Sequence, residues 1–374
     1  MTPFKAAVLH ECGRPSPFAQ SKPFTIEHCE LDPPGPGEVL IRIRAASLCH
    51  SDLSVVDGSR PRVMPMVVGH EAAGEVVELG AGVTDLVPGD KVVCVFIPSC
   101  GTCPRCQESR PGLCEVGAVT NIAGTLLAGT RRLRLAGQPV NHHLGVSAFA
   151  EYAVTVRSSL VKVPADLKFE TAALFGCAII TGVGAVLNTA KLPAGATVAV
   201  VGAGGVGLSC VLGAVVAGAA RILAVDLNKS KLNFARELGA TDEFDASAPD
   251  VVAKIKEATR GGVDFAFETA GAAPALALAY QITRRGGTTI TAGLPNPNHQ
   301  FSIPQISLTA EERTLKGSYM GSCVPQRDIP YYIDLFRQGR LPVERLVTHR
   351  IHLEDINEGF DLLATGNAGR ILLS

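Results

Sequence analysis

The run Thr197–Val201 followed by Gly202-Ala203-Gly204-Gly205-Val206-Gly207 constrains this chain more than any other feature. An apolar, β-type segment enters a G-x-G-x-x-G turn, and a helical pattern over Val206–Ala217 follows. At that spacing Gly202 permits a tight turn, Gly204 lets the backbone approach a pyrophosphate, and Gly207 lets helix and strand pack closely. Gly205 and Val206 complete the first helical turn, whose free N–H groups and partial positive charge suit phosphates. By itself the turn is a weak signal, because a glycine-rich structural turn reads the same way. Its surroundings strengthen it. The next strand, Arg221–Val225, ends in Asp226, about twenty residues past the glycines, where a carboxylate accepts the ribose hydroxyls and repels a 2′-phosphate. NAD is therefore expected rather than NADP. The plainer alternative for Asp226 is a cap on the helix over Asn228–Leu238. Lys231 is within reach of the same ribose and reads equally well as a solvated helix residue.

Around this turn, strands (Thr197–Val201, Arg221–Val225, Val263–Phe267, Gly287–Ala292) alternate with helices (Val206–Ala217, Lys229–Leu238, Val251–Ala258, Pro274–Ile282). That alternation predicts a doubly wound parallel sheet over residues 179–321. The part before it, residues 1–178, reads as β-rich, with apolar runs at Val39–Arg44, Gly74–Leu79 and Lys91–Phe96. Gly80–Asp90 reads as a loop, and Glu115–His143, without clear periodicity, as a long excursion. The tail, residues 322–374, carries a helix over Ile329–Gln338 and is expected to rejoin the first part. A chain of 374 residues accommodates two such domains. Leu192–Ala220 carries no formal charge and is long enough to span a bilayer. Its glycines and its change from β-type to helical pattern favour a buried strand, loop and helix. No membrane association is expected. Met1–Glu11 has no basic segment followed by a long apolar one, so a cytoplasmic protein is expected. The formal net charge of −1 argues against nucleic-acid binding.

Four of the eleven cysteines, Cys100, Cys103, Cys106 and Cys114, lie in one short stretch. Four thiolates complete a tetrahedral zinc shell with no open position, which is the mark of a structural site. An iron–sulfur cluster is the rival, but the spacing departs from the common ferredoxin runs. Cys12, Cys29, Cys94, Cys210 and Cys323 stand alone and read as small buried residues. A second set is more scattered: Cys49 in Cys49-His50-Ser51-Asp52, His70 in Gly69-His70-Glu71, and Cys177 in Gly176-Cys177. Two Cys and one His form a known catalytic zinc set. From the residues alone, buried cysteines and a satisfied core histidine explain them as well.

Taken together and in order, these motifs resemble the zinc-containing medium-chain alcohol dehydrogenases across nearly the whole chain. The resemblance implies a Rossmann nucleotide-binding domain beside a GroES-like catalytic domain with a structural-zinc lobe. It implies a catalytic zinc on Cys49, His70 and Cys177 and a structural zinc on the four-cysteine set. It makes Ser51 the residue that receives the alcohol proton, Asp52 the carboxylate that holds the second nitrogen of His70, and Glu71 a group behind the metal. Thr181 is placed at the nicotinamide amide, and His50 and Arg370 at the pyrophosphate. Phe96, Leu144 and Leu294 line an apolar pocket, with His143 near its mouth. The expected reaction is reversible oxidation of an alcohol to an aldehyde or ketone with NAD, with medium-chain or aromatic primary alcohols favoured, by a homodimer.

The chain departs from the family in places. Some members relay the proton onward through a His three residues after the Ser/Thr, and here that residue is Ser54. Glu115-Val116-Gly117 follow Cys114, without the basic residue of the glutathione-dependent formaldehyde branch. Arg131, Arg132 and Arg134 read either as a solvated basic turn or as contacts for an acidic substrate. Rival readings are a nicotinoprotein that keeps its NAD bound, a non-catalytic sensor of NAD and zinc, and a zinc-free reductase, which leaves Cys49, His70 and Cys177 unexplained.

Overall fold

The structure, a computed structural model, describes residues 3–374, so the reading of Met1–Glu11 lies partly outside the described residues. The chain forms two compact units. The first holds the chain up to Cys177 together with Val324–Tyr331 and Val347–Ser374; the second holds Ala178–Cys323 and Tyr332–Leu346.

The first unit is built on strands. Its longest, Glu38–Leu48, pairs antiparallel with Glu71–Leu79, with Tyr152–Val156 and with the C-terminal strand Arg370–Leu373. Lys91–Cys94 and Leu160–Lys162 extend the sheet on one side, and Val347–Ile351 on the other. A small closed barrel joins Phe4–Leu9, Phe24–Leu31, Leu133–Leu135, Gln138–His142 and Met66–Val67. Beneath the strands lies a dense apolar core in which Phe24 stacks on Phe360 at 5.1 Å and meets Phe149 edge-on at 6.4 Å. Two register shifts bend Glu38–Leu48 against Glu71–Leu79, as bulges do. Beyond the bend Ser47 pairs with both Glu71 and Leu372. That register carries the chemistry of the site described below.

Glu115–His143 is not a long loop. It contains a helix, Glu115–Ala123, and the hairpin Leu133–Leu135 with Gln138–His142. The helix hides in sequence because Val116, Val119, Thr120 and Ile122 are β-branched, which weakens helix propensity. The hairpin turns on Ala136 and Gly137, at φ 49° and 76°, a left-handed pair suited to a two-residue turn. The arginines around it are structural. Arg132 Nε donates to Glu38 Oε2 at 2.7 Å, Arg134 pairs with Asp32 at 2.8 Å, and Arg131 Nε donates to Asn141 Oδ1 at 2.7 Å.

The second unit carries a six-stranded parallel sheet in the order Asp242–Asp245, Arg221–Asp226, Thr197–Val201, Val263–Glu268, Thr283–Thr291, Thr314–Gly317. Numbered along the chain this is 3-2-1-4-5-6, the doubly wound order, whose direction reverses at Thr197–Val201 and so opens a crevice at the carboxyl ends of the strands. The strand Asp242–Asp245 escapes sequence reading because its DEFD run carries three carboxylates. Thr197–Val201 is followed by the turn and the helix Gly205–Ala217, which accounts for the uncharged stretch. Among the described residues no single helix is long and apolar enough to cross a membrane.

Candidate functional site

Cys49 closes the long strand of the first unit and caps the helix His50–Val56, so Ser51 and Asp52 lie in that helix's first turn. His70 immediately precedes the strand Glu71–Leu79, and Cys177 follows a short 3-10 turn, Leu174–Gly176. These remote positions converge. The ligand atoms of Cys49, His70 and Cys177 lie within 4.8 Å of one another, and all three residues are buried. His70 Nε2 is 3.3 Å from Cys177 Sγ. The close approach depends on Gly176, where a Cβ would stand 2.4 Å from the Cys94 carbonyl oxygen.

The surroundings organise these donors. Asp52, fully buried, takes His70 Nδ1–H on Oδ1 at 2.8 Å and the Cys49 backbone N–H on Oδ2 at 3.2 Å. An ionised carboxylate only accepts, so a proton sits on Nδ1, and Nε2 faces the two sulfurs. A hydrogen bond from the Cys177 thiol holds Cys49 well below the ordinary thiol range, and the same bond raises Cys177. Burial lowers the His70 pKa, but the Asp52 carboxylate and the Cys49 thiolate outweigh it and hold the ring well above its ordinary range, so a metal entering beside the thiolate would displace a proton. Glu71 and Arg370 form a buried ion pair, Oε1 to Nη2 at 2.5 Å, and Arg370 also donates to Ser47 Oγ at 2.8 Å. The strand register described above brings these three together. Arg370, expected at a pyrophosphate, is thus bound to Glu71 and Ser47. Ser47 had no signal in sequence, since its place follows only from pairing with two distant strands.

His143 was expected near a pocket mouth. It is buried, with Nδ1 3.3 Å from Asp52 Oδ1, and its ring meets that of His70 at 5.7 Å. Phe96 is buried and meets the His70 ring edge-on at 5.4 Å, while Leu144 is partly buried in a left-handed conformation at φ 51°. Ser51 is partly buried and His50 exposed. Ser54 Oγ donates back to the His50 carbonyl at 2.9 Å.

The four-cysteine lobe also closes on itself. Its sulfurs lie within 4.8 Å of one another. Cys103 caps the short helix Pro104–Gln107, which carries Cys106, and Cys114 caps Glu115–Ala123. Backbone N–H groups point at sulfur: Cys100 and Gly117 donate to Cys114 at 3.2 and 3.3 Å, and Cys103 donates to Cys100 at 3.3 Å. The Thr102 hydroxyl and N–H lower the Cys100 thiol to about 6. Gly117 allows this approach, since a Cβ there would lie 2.0 Å from the Pro98 carbonyl oxygen. Burial raises Cys106, to about 12, and Cys114 within the same lobe, as it raises the solitary Cys29 and Cys94 thiols to about 11 and about 12.

In the second unit the three glycines of the turn differ in their surroundings. Gly202 sits at φ 98°. A Cβ on Gly207 would meet the Gly202 carbonyl oxygen at 1.9 Å, whereas one on Gly204 would enter open space. The helix from Gly205 points its N-terminus at that space. Asp226 Oδ2 accepts from Ala203 N–H at 2.7 Å and Oδ1 from Asn228 N–H at 2.9 Å, tying the acid to the turn. Asn228, not Asp226, caps the following helix. Lys231 is partly exposed, and Leu294 is 43% exposed. Thr181 lies in the helix Ala178–Gly184 with its hydroxyl buried and unpaired, a polar group fit for a ligand amide. Glu268, buried at the end of its strand, was missed in sequence: it accepts from Gly271 N–H and the Thr291 hydroxyl, both at 2.6 Å, and so shapes the crevice.

Residues 35–165 match the alcohol dehydrogenase GroES-like domain, and residues 205–338 match the zinc-binding dehydrogenase family. The chain is similar in structure to an alcohol dehydrogenase zinc-binding domain protein from Burkholderia ambifaria. Identity is 36%, coverage 99% of this chain and 98% of that one, and the TM-score 0.93. For benzyl alcohol dehydrogenase from Acinetobacter calcoaceticus the values are 32%, 100% and 99%, and 0.92. For a zinc-binding dehydrogenase from Sinorhizobium meliloti 1021 bound to NADP they are 27%, 100% and 99%, and 0.82.

Proposed function

The chain belongs to the zinc-containing medium-chain alcohol dehydrogenase family, and from that premise we propose that it oxidises aromatic or medium-chain primary alcohols reversibly to aldehydes with NAD. In this reading residues 1–178 and 322–374 form the catalytic domain and 179–321 the nucleotide-binding domain, except that Ala178 and Tyr332–Leu346 pack with the second unit. Each chain holds a catalytic zinc on Cys49, His70 and Cys177 and a structural zinc on Cys100, Cys103, Cys106 and Cys114. The observation that carries the proposal is the first of these sets: three buried donors, far apart in sequence, meeting at one point. Three protein ligands leave a position for substrate, whereas four cysteines leave none. The clustered reduced thiols also suit a cytoplasmic protein.

Bound zinc supplies Lewis-acid stabilisation of negative charge on an alcohol oxygen, and the nicotinamide accepts the hydride. The chain's own residues do the rest. Asp52 fixes the tautomer and aim of His70. Ser51, in the first turn beside Cys49, takes the alcohol proton and releases its own. The Ser54 hydroxyl hydrogen is committed to the His50 carbonyl, so the proton passes from Ser51 to solvent rather than through Ser54. Phe96 and Leu144 provide apolar surface for the substrate's carbon chain. The buried Thr181 hydroxyl receives the nicotinamide amide, and Gly202, Gly204 and Gly207 receive the pyrophosphate.

Asp226 decides between the nucleotides. Reduction of NAD by benzyl alcohol is expected to exceed that of NADP by at least about tenfold in kcat/KM, because a 2′-phosphate would face the carboxylate. The variant Asp226→Ala is expected to narrow that ratio. Equal use of both nucleotides by the unmodified protein contradicts the assignment. NAD that stays with the protein through gel filtration marks it as a nicotinoprotein.

A further inference from the structure

Asp52 is wholly cut off from water. An ionised carboxylate offers about four acceptor sites, and leaving them bare in a protein interior is strongly unfavourable. His70 and the Cys49 N–H fill two of them. A further polar atom, His143 Nδ1, lies 3.3 Å from Asp52 Oδ1, on a side chain that is 3% exposed. It sits off the line of a good hydrogen bond, and no other group among the described residues takes it.

The backbone holds this ring in place. His143 N–H donates to Ser147 Oγ at 2.9 Å, and its carbonyl accepts from Val146 and Ser147 at 2.9 and 3.2 Å. Leu144, Gly145 and Ser147 all lie at positive φ, 51°, 70° and 59°. Two non-glycine residues in that region are unfavourable and persist only where their surroundings impose it. The result sets the His143 ring edge-on to His70, at an interplanar angle of 80°.

We propose that His143 is a positioning residue for the metal centre: its Nδ1–H is the second imidazole donor to Asp52, and through that carboxylate it fixes the orientation of His70. The proposal rests on reading Cys49, His70 and Cys177 as zinc ligands. An aromatic ring that only filled space would be replaceable by phenylalanine. A donor would not, whereas an asparagine amide nitrogen falls close to the imidazole Nδ1 position.

The test is competition between the full-length protein and a chromophoric chelator for Zn2+, with the absorption spectrum of the Co2+-substituted protein as a second readout. His143→Phe is expected to weaken zinc at the three-ligand site about tenfold, the effect typical of losing a group that orients a ligand, and to shift the cobalt bands. Zinc in the four-cysteine lobe stays bound. His143→Asn is expected to lie closer to wild type than to His143→Phe. If the phenylalanine ring disturbs folding, His143→Ala carries the same prediction. Wild-type affinity and an unchanged cobalt spectrum in His143→Phe overturn the proposal, as does equal weakening in the Phe and Asn variants. A wild-type protein that holds zinc only in the four-cysteine lobe overturns the ligand reading itself, and that is visible before any substitution.

Discussion

His142 and His143 are adjacent and both buried, yet they face different partners. His142 Nε2 accepts the Arg132 N–H at 3.1 Å, so this ring is neutral with its proton on Nδ1. Burial, with Arg131 and Arg132 nearby, lowers its pKa from 6.5 to about 3. The unfolded chain therefore binds a proton in that window that the folded chain does not, and stability falls as pH drops from about 6.5 toward 3. The penalty is on the order of a few kcal/mol at the acid end. His142→Gln keeps an acceptor near Nε2 and removes the titration. Urea unfolding at pH 7 and pH 5 should show wild type losing more stability than this variant; parallel losses would contradict the account. At this scale the sequence revealed residue types but not all partners. Asp52 with His70 was legible from a family pattern. The turn of His143 toward Asp52 was not, because it depends on the positive-φ loop that follows.

Elements show the same division. The strand, glycine turn and helix at Thr197–Ala217 were legible because local periodicity and glycine spacing dictate them. The helix Glu115–Ala123 was not, because it is held by Cys114 at its cap rather than by its own propensity. A nine-residue helix is marginal alone, and a metal at its cap would replace the core that so short a lobe lacks. Cys106→Ser is therefore expected to release one zinc per chain and to lower the thermal midpoint by at least several degrees, the order that a change of a few kcal/mol produces. Elemental analysis and circular dichroism check both. Full zinc content with an unchanged midpoint would show that the lobe stands without its metal.

For the whole molecule, the two-part plan was readable from the switch between β-rich and alternating patterns. The return of Val347–Ser374 to the first unit rests on pairing between Arg370–Leu373 and Glu38–Leu48, which no local pattern announces. The parallel sheet ends in an edge strand, Thr314–Gly317, with Leu315 36% exposed. An uncovered edge is a template for pairing with another chain, and we read it as the contact that makes a homodimer. Leu315→Asp is expected to convert the dimer to a monomer in sedimentation velocity. A wild-type monomer at micromolar concentration, or a variant that stays dimeric, would contradict this.

In the proposed function, zinc held by Cys49, His70 and Cys177 makes this chain an alcohol dehydrogenase. The direct measurement is formation of reduced nicotinamide from NAD and benzyl alcohol, followed alongside zinc content before chelation, after chelation and after Zn2+ is returned. Turnover is expected to fall with loss of zinc from the three-ligand site, to return with the metal, and to be absent in Cys177→Ala. Turnover that survives emptying of that site would contradict it, as would no turnover on any alcohol with both zinc and NAD bound.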